Sequence, residues 1–411
     1  LRKGRLDVGN RLEPNYSRGS LKYAVLVPKD YDHVKVEQPL PLVVSLHGRA
    51  INLRHPALKK FPEERSRIVV WNNWGGDGKS PQANAIVVAP NGRPDGFRWS
   101  EEPEVDFFVK QTAFLAQDVG CTNYRVDPHG VFLEVYGDAI ETAIEMHTVF
   151  AGIIWRDRED SARPIAEPSI FKNLGNKPLF YIADAAKWDT VGSKNEAALR
   201  QYYKGDNANN LVVLKVDRDA NSALKHDPEK MNTFLQRRLP KVTKELHWYF
   251  WRPSLTGPLP LSLARADYDY DDEWTKDKAL LDKCGLIKMK ASTQVETVEG
   301  KQVPYNLLDF EIYESEAMTL FLYEGLVNFD LPITVRVNGK ILQDKVKMKR
   351  DWLIFEKFCM SRMFFAYPIV NTISLEFPLR ARVPEPEKKD EAGAEGAETA
   401  TEGASADAGN G

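Results

Sequence analysis

Apolar runs of strand length alternate with helical patterns over the first 240 residues. The runs at Tyr23–Val27, Leu42–Leu46 and Ala85–Ala89 are each closed by turn-forming residues. Because their side chains are apolar on both faces, they predict parallel strands covered by helices on each side of a sheet. Further β-rich runs follow at Gly130–Glu134, Pro178–Ala183 and Leu211–Val216, and the apolar run Phe150–Trp155 has the length of a strand or a short helix. Helical patterns between and after them cover Val105–Val119, Ala139–Met146, Asn195–Tyr203 and Pro228–Arg238.

The pattern changes beyond Pro240. Through residue 304 the chain is rich in Trp, Asp and Pro without a sustained period, which predicts a connector with short elements. Short alternating strands then follow, with Asn338-Gly339 at a hairpin turn that needs positive φ. These strands are predicted at Asp309–Tyr313, Met318–Leu322, Ile333–Val337 and Thr372–Phe377. The end of the chain lacks aromatic and branched aliphatic residues, which predicts disorder.

The predicted organisation has five parts. An N-terminal extension (1–20) precedes an α/β domain (21–240), followed by the connector (241–304), a small mainly-β domain (305–380) and a disordered low-complexity tail (381–411). Because βαβ repetition is typical of a mostly parallel sheet flanked by helices, the fold class is α/β.

Bulk composition excludes several classes of partner and ligand. A formal net charge of −3 gives no basic excess, so we expect no nucleic-acid partner. Every apolar run falls short of the roughly 20 residues of a membrane helix, which predicts no membrane span. The three cysteines are scattered and the histidines lack ligand spacing, so no disulfide framework, metal or cofactor is expected. Since the chain begins at Leu1, we expect an upstream segment to have been removed or omitted.

Six blocks in the first 240 residues share their order with a known group of enzymes. They are Tyr23–Tyr31 (YAVLVPKDY), Pro41–Gly48 (PLVVSLHG), Ala85–Pro90 (AIVVAP), Glu104–Asp106 (EVD), Tyr124–Pro128 (YRVDP) and Phe150–Ile154 (FAGII). In this order they resemble the polyhydroxybutyrate-depolymerase and feruloyl-esterase-like group of α/β hydrolases. The later blocks Leu326–Asp330 (LVNFD) and Pro332–Gly339 (PITVRVNG) resemble the C-terminal β segment of some multidomain bacterial members.

The resemblance implies an α/β-hydrolase fold in which a loop at His47 and Gly48 contributes to the oxyanion hole. It also implies an extracytoplasmic location, periplasmic or secreted, while the residues themselves leave the compartment open. His47 is equally explained as a turn residue held by backbone hydrogen bonds.

The turn that carries the nucleophile in this fold has glycine at its tip here. α/β hydrolases place a serine in a strained small-x-Ser-x-small turn between strand and helix. Val131–Glu134 is the strand and Val135–Ala139 (VYGDA) is the turn, so Gly137 occupies the serine position. Glycine offers no nucleophilic atom, which closes the acyl-enzyme route. It also adopts positive φ freely, whereas serine there costs about 1–3 kcal/mol, so we expect lost activity and gained stability together.

A second register makes Asp138 the nucleophile, as a carboxylate. That register sets Tyr136 and Ile140 where close packing needs small residues. The other interpretation of Asp138 is a helix N-cap or first-turn acid.

For the rest of a triad, the resemblance implies an acid after the strand at Phe180–Ile182 and a histidine before the last helix. Asp184 or Asp189 is the candidate acid, and His226 is the candidate base. An exposed loop histidine beside a helix start is the alternative for His226. A substitute nucleophile such as Ser45, Ser222 or Cys121 would have to reach His226 to restore the chemistry.

Three functions follow from these residues. The first is a catalytically silent esterase-fold protein that binds an unknown protein, small-molecule or carbohydrate ligand. The second is an active carboxylic-ester hydrolase with Asp138 as nucleophile and His226 as base. The third is a structural module of a secreted or envelope assembly. Trp71 with Trp74 and the run Trp248–Trp251 suit either a carbohydrate or aromatic-ester platform or plain packing.

Overall fold

A computed structural model describes most of the strands and helices of the chain. The described residues are 5–12, 20–28, 31, 38–46, 73–74, 84–90, 113, 116–117, 120–121, 123–157, 171, 173–174, 177–218, 224–239, 244–250, 261–264, 285–361 and 367–380. Most of the helix predicted at residues 105–119, the oxyanion-loop residues His47 and Gly48, and the tail at 381–411 lie outside them.

An eight-stranded sheet dominates the first 216 residues. Its order is β1-β2-β4-β3-β5-β6-β7-β8; β1 pairs antiparallel with β2 and β2 antiparallel with β4, and all later neighbours are parallel. The strands are β1 (Arg5–Leu12), β2 (Ser20–Val27), β3 (Leu40–Ser45), β4 (Ile86–Pro90), β5 (Val126–Tyr136), β6 (Gly152–Arg156), β7 (Leu179–Asp184) and β8 (Leu211–Val216). This mostly parallel sheet confirms the predicted α/β-hydrolase fold.

Helices cover this sheet because its central strands are apolar on both faces. Every residue of β4 and β7 is buried, as is every residue of β6. Phe234 packs its ring against Phe132 of β5 and Phe180 of β7, with centroids 5.5 and 5.2 Å away. The described helices of this part are α1 (Ile140–Met146), α2 (Ser193–Tyr202) and α3 (Pro228–Phe234). β1 lies in the predicted N-terminal extension and pairs along its whole length with β2.

A mainly-β region follows, as predicted, and consists of two sheets. One has the order β15-β14-β12-β11-β9 and the other β10-β13-β16. The strands are β9 (Glu245–Phe250), β10 (Leu261–Ala264), β11 (Gly285–Val298), β12 (Lys301–Tyr313), β13 (Ala317–Tyr323), β14 (Ile333–Val337), β15 (Lys340–Val346) and β16 (Ile369–Glu376). One helix, α4 (Trp352–Ser361), precedes β16.

Three of these strands lie where the sequence predicted a connector. β9, β10 and β11 all fall within 241–304. β9 and β11 belong to the five-stranded sheet, and β10 belongs to the three-stranded sheet. In β11, buried Ile287, Met289 and Ala291 alternate with exposed Lys288 and Lys290, but the residues after 291 are mostly exposed. The period-2 signal is therefore too short to announce a strand of 14 residues. The limits of the five predicted parts stay predictions.

The hairpin predicted at Asn338-Gly339 is confirmed. Both residues have positive φ, 51° and 81°, and they join β14 to β15. The Asn338 side chain also holds the neighbouring strand, since its Oδ1 accepts the Ile312 N–H and its Nδ2 donates to the Ile312 carbonyl, both at 2.9 Å.

The amino ends of β6 and β7 carry two basic side chains, His147, which is buried, and Lys177, which is half-buried. His147 is buried and its Nδ1 donates to the Ile144 carbonyl at 2.5 Å. Burial, followed by the charge of Lys177, lowers the pKa of His147 to about 3. The Lys177 Nζ donates to the Phe150 carbonyl at 2.8 Å, and burial lowers its pKa to about 7.

Among the described helices, none is long and apolar enough to cross a bilayer.

Candidate functional site

The turn after β5 has the backbone geometry expected of a nucleophile turn. Gly137 follows the last residue of β5 with φ of 53°, in the region that residues with a side chain rarely adopt. A single 3-10 turn, Gly137–Ala139, leads from it into α1. The Trp155 indole N–H donates to the Gly137 carbonyl at 2.9 Å and fixes the turn against β6. Asp138 lies in this turn, and its side chain lies outside the described part of the structure.

A buried ion pair lies beneath the turn. Glu134 on β5 and Arg156 at the end of β6 have no exposed side-chain surface, and the Arg156 Nε lies 2.5 Å from the Glu134 Oε1. Parallel pairing of β5 with β6 sets this contact by placing Tyr136 opposite Arg156. Breaking one partner of such a pair costs about 3–5 kcal/mol, because the other charge is left buried.

The second carboxylate oxygen of Glu134 has two donors. The Ser45 hydroxyl, at the end of β3, donates to Oε2, and the Trp74 indole N–H donates to the same atom at 2.8 Å. Ser45 therefore serves Glu134 and does not act as a substitute nucleophile on His226. Ser222 lies outside the described residues. Cys121 is partly buried.

Arg156 also holds the candidate base. Its Nη2 lies 3.0 Å from the Nδ1 of His226, and its Nη1 donates to the Leu224 carbonyl. A guanidinium only donates, so Nδ1 must present its lone pair and the ring proton lies on Nε2. Burial, then the positive charge of Arg156, lowers the pKa of His226 well below its usual value. His226 is therefore neutral with its basic nitrogen occupied.

His226 is buried, which differs from the exposed loop histidine that was its alternative. Its side chain is 9% exposed and its ring lies 4.7 Å from that of Trp74, between centroids. The next residue, Asp227, caps α3 by accepting the N–H groups of Glu229 and Lys230 at 2.9 and 3.2 Å. The cap and the Arg156 contact together fix the histidine over the sheet.

Neither candidate acid contacts the candidate base. Asp184 ends β7, is 2% exposed, accepts the Arg218 Nε–H at 2.7 Å and caps the next turn through the Ala186 N–H at 3.1 Å. Asp189 is exposed in the turn Trp188–Gly192. Among the described residues, the polar contact of the His226 ring is with Arg156 and with neither acid.

A third carboxylate, absent from the sequence prediction, stands beside Asp184. Asp157 follows β6 and accepts the Tyr181 hydroxyl at 2.8 Å and the Asp184 N–H at 3.0 Å. Burial raises the pKa of Asp157, while its hydrogen bond from Tyr181 works in the opposite direction. This pair of acids forms a second polar cluster at the carboxyl edge of the sheet.

Tyr136 completes the surroundings of the turn. Asn73 donates its Nδ2 to the Tyr136 hydroxyl oxygen at 2.6 Å. Burial raises the pKa of Tyr136, and the negative charge of Glu134 raises it further. The phenol is therefore neutral and available only as a hydrogen-bonding group.

The sequence analysis singled out Gly137 and His226 but missed the ion pair of Glu134 with Arg156, whose guanidinium contacts His226. One signal was available: Glu134 stands inside the apolar run Val131–Val135, and a charge buried in a strand demands a compensating partner. Arg156, at the end of another apolar strand, is that partner. No cofactor or metal is expected, and within the described residues no group of three or more His, Cys, Asp or Glu side chains converges.

No protein-family model and no curated protein matches the chain. Solved structures similar to it include a thermostable esterase, at 15% identity over 57% of this chain and 63% of that protein, with a TM-score of 0.36. A putative dienelactone hydrolase from Klebsiella pneumoniae is 14% identical over 56% and 99% of the two chains, with a TM-score of 0.33. A mutant of the feruloyl esterase module from Clostridium thermocellum, complexed with sinapinate, is 13% identical over 58% and 87%, with a TM-score of 0.34.

The chain spans less than two thirds of the thermostable esterase that it resembles. We assign the fold from the strand order and strand directions described above. The chain has an α/β-hydrolase fold.

Proposed function

We propose that this esterase-fold protein is catalytically silent and serves a binding or scaffolding role. The observation that supports the proposal is the contact between Arg156 and Nδ1 of His226. In serine acyl transfer, Nδ1–H donates to the acid, and Nε2 receives the proton of the nucleophile. With Arg156 donating to Nδ1, Nε2 already carries the proton and has no lone pair to receive another.

The missing nucleophile supports the same conclusion. Gly137 occupies the tip of the turn at φ of 53°, where an esterase of this fold carries its serine. Base and nucleophile are thus disabled by two different residues. A protein that keeps this fold but has neither a working base nor a nucleophile still has a stable scaffold and outer surfaces. Its function must then depend on that scaffold and those surfaces.

The polar groups beneath the turn satisfy each other. Glu134 accepts from Ser45, Trp74 and Arg156, and Arg156 donates to Glu134, Leu224 and His226. A ligand reaching these groups would have to break buried hydrogen bonds that it could not easily replace. We therefore assign the network a structural role and place binding on outer surfaces.

Incubation of the purified chain with a short-chain aryl ester and a serine-directed phosphonate tests the silence. The expected result is neither turnover nor labelling. Turnover that disappears in Asp138→Ala or His226→Ala would replace the proposal with a hydrolase that uses the aspartate as nucleophile. Loss in either variant must be read against its unfolding midpoint, so that a folding defect is not mistaken for chemistry.

Restoring the hydroxyl alone is expected to leave the protein inactive. Gly137→Ser supplies a nucleophile, but His226 still holds its proton on the wrong nitrogen, so no burst of aryl alcohol should appear. The variant should also lose about 1–3 kcal/mol of stability, since serine is strained at positive φ. Gly137→Ala carries the same strain without the hydroxyl and is the matched control. A burst in Gly137→Ser that is absent from Gly137→Ala would contradict the assigned tautomer.

The binding half of the proposal needs partners. Pull-down with the full chain and with a chain ending at residue 380 separates partners held by the two folded regions from partners held by the tail. Partners retained by both chains support a scaffold built on the folded regions. Partners lost with the tail would support the third function, a structural module of a larger assembly.

A further inference from the structure

A row of lysines leads into α4 on the outside of the mainly-β region. Lys345, Lys347 and Lys349 are exposed, while Met348 between them packs against the hydrophobic core. The exposure alternates at the end of this segment, with Met348 turned inward between exposed Lys347 and Lys349, so these two ammonium groups share the outer face, whereas Lys345 precedes them at a positive φ of 50°. This segment ends at Arg350, directly before the helix.

Two large apolar side chains protrude where the lysines end. Trp352 is 68% exposed and Leu353 is 76% exposed, the highest values among the large hydrophobic residues described. They are held in place, since Asp351 caps α4 by accepting the Leu353 N–H at 2.9 Å. Phe355 stands edge-on against the Trp352 ring, with 5.5 Å between centroids, and itself packs against the core. The protrusion is thus a fixed feature of the fold.

Not all of the basic groups are free to attract a partner. Lys345 pairs with Glu296, and Arg350 pairs with Glu324. Lys347 and Lys349 have no carboxylate within ion-pair distance among the described residues. We call Lys347, Lys349, Trp352 and Leu353 the α4 patch. One acid, Glu356, is exposed on the next turn of the helix and opposes an anionic partner.

We propose that the α4 patch docks the chain on an anionic lipid bilayer surface. Tryptophan has an apolar body and one polar N–H, which suits the headgroup level of a membrane, and lysines beside it are drawn to anionic lipid. A stable protein interface buries about 800 Å² on each partner, far more than two protruding side chains provide. A bilayer imposes no such requirement, because it accepts isolated apolar side chains between its headgroups. The patch lies outside the hydrolase-fold sheet, so its failure and that of the proposed silence are separable.

Cosedimentation of the full chain with vesicles tests the docking. Vesicles of phosphatidylcholine alone are compared with vesicles that contain about 30% phosphatidylserine, at low and high salt. The expected result is binding to the anionic vesicles that weakens as salt rises, with little binding to the neutral ones. Failure to bind the anionic vesicles at low salt would overturn the proposal.

Paired substitutions then assign the binding to the patch. Trp352→Ser with Leu353→Ser, and separately Lys347→Glu with Lys349→Glu, are each expected to weaken vesicle binding by about tenfold or more. Glu356→Lys is expected to strengthen it by several fold. The control is Val295→Ser with Val298→Ser, which removes two exposed apolar side chains from the β11–β12 hairpin. Equal losses in the control pair would overturn the assignment.

Poly-glutamate serves as the competing acidic polymer in the same assay. If it binds the chain as tightly as the anionic vesicles do, and if the Trp352/Leu353 pair does not affect either interaction, the surface recognises an acidic protein and the lipid proposal fails. Because all of these side chains are exposed, unchanged unfolding midpoints are expected throughout, and they verify that each variant is folded.

Discussion

The two ends of the parallel strands treat a buried positive charge in opposite ways. At the carboxyl end, Arg156 keeps its charge and is neutralised by Glu134. At the amino end, the Lys177 ammonium group donates to the Phe150 carbonyl, and burial lowers the pKa of Lys177 to about 7. Arginine cannot release its proton in a protein, so a buried guanidinium requires an anion, whereas lysine can become neutral and needs only an acceptor.

Each of these cations depresses the basicity of a buried histidine. Burial, followed by the charge of Arg156, lowers the pKa of His226, and burial, followed by the charge of Lys177, lowers the pKa of His147. The difference lies in the hydrogen bond. Arg156 donates directly to His226, whereas His147 donates to the Ile144 carbonyl and leaves its other nitrogen unprotonated. At the candidate site, the hydrogen bond from Arg156 therefore selects the tautomer of His226. At the opposite edge of the sheet, Lys177 only disfavours a positive charge on His147.

The largest predicted effect comes from removing the guanidinium. Arg156→Met leaves Glu134 buried without its cation and should destabilise the fold by about 3–5 kcal/mol, measured by urea unfolding. The double variant Arg156→Met with Glu134→Met should recover most of that loss, since an apolar pair needs no compensation. If the single variant unfolds at the same urea concentration as the parent chain, the ion pair does not support the sheet as described.

The next effect comes from the lysine: it appears only in the dependence of stability on pH, and its change per pH unit is smaller than the loss expected for Arg156→Met. The folded pKa of about 7 lies below the unfolded value near 10.5, so the unfolded chain binds more protons between these limits. Stability contributed by this group should therefore rise with pH from about 7 to about 10, by at most about 1.4 kcal/mol per unit.

Lys177→Met measures that contribution. The stability of this variant should rise with pH less steeply than that of the parent chain over the same window. Below about pH 7 the two slopes should be nearly equal, because the amine is protonated in both the folded and the unfolded parent chain. Urea unfolding at several pH values gives the slopes. Parallel slopes for the two proteins would show that the lysine stays charged in the folded state.

The smallest effect concerns the histidine at the candidate site. His226→Asn places an amide oxygen close to where Nδ1 stood, so Arg156 keeps an acceptor and the stability change should be about 1 kcal/mol. In the parent chain, nitrogen NMR should show a neutral ring with the proton on Nε2, without titration between about pH 5 and pH 8. The asparagine variant identifies the signals by their loss. A ring that titrates near its ordinary pKa would sharply weaken the comparison with His147.

Local patterns predicted the strands well where both faces or one continuous face is buried. Leu211–Val216 and Ile333–Val337 match β8 and β14 residue for residue. The helix α4 was missed because its opening side chains, Trp352 and Leu353, are apolar and exposed, which is the reverse of the periodic pattern that announces a helix. The helix predicted at Pro228–Arg238 ends at Phe234, since its last residues form turns.

The candidate site was predicted only in part, for a physical reason. The turn at Gly137 follows from a strand and a helix that are adjacent in sequence, so local pattern suffices to find it. The contact of Glu134 with Arg156 depends on which strands are neighbours and on their register, and neither is written in local sequence. The acids Asp184 and Asp189 were chosen by family resemblance; the structure gives the first to Arg218 and exposes the second. Their assigned roles stay predictions, as does that of Asp138.

The three-stranded sheet can be completed only after the last described strand has been synthesised. Its central strand, β13, pairs on one side with β10 and on the other with β16, which is the last strand of the described chain. A ribosome releases β13 well before Ile369–Glu376, so one edge of the nascent sheet waits without its neighbour. Chaperones and early aggregation would therefore act on this edge, whereas the β11–β12 hairpin can close as soon as it emerges.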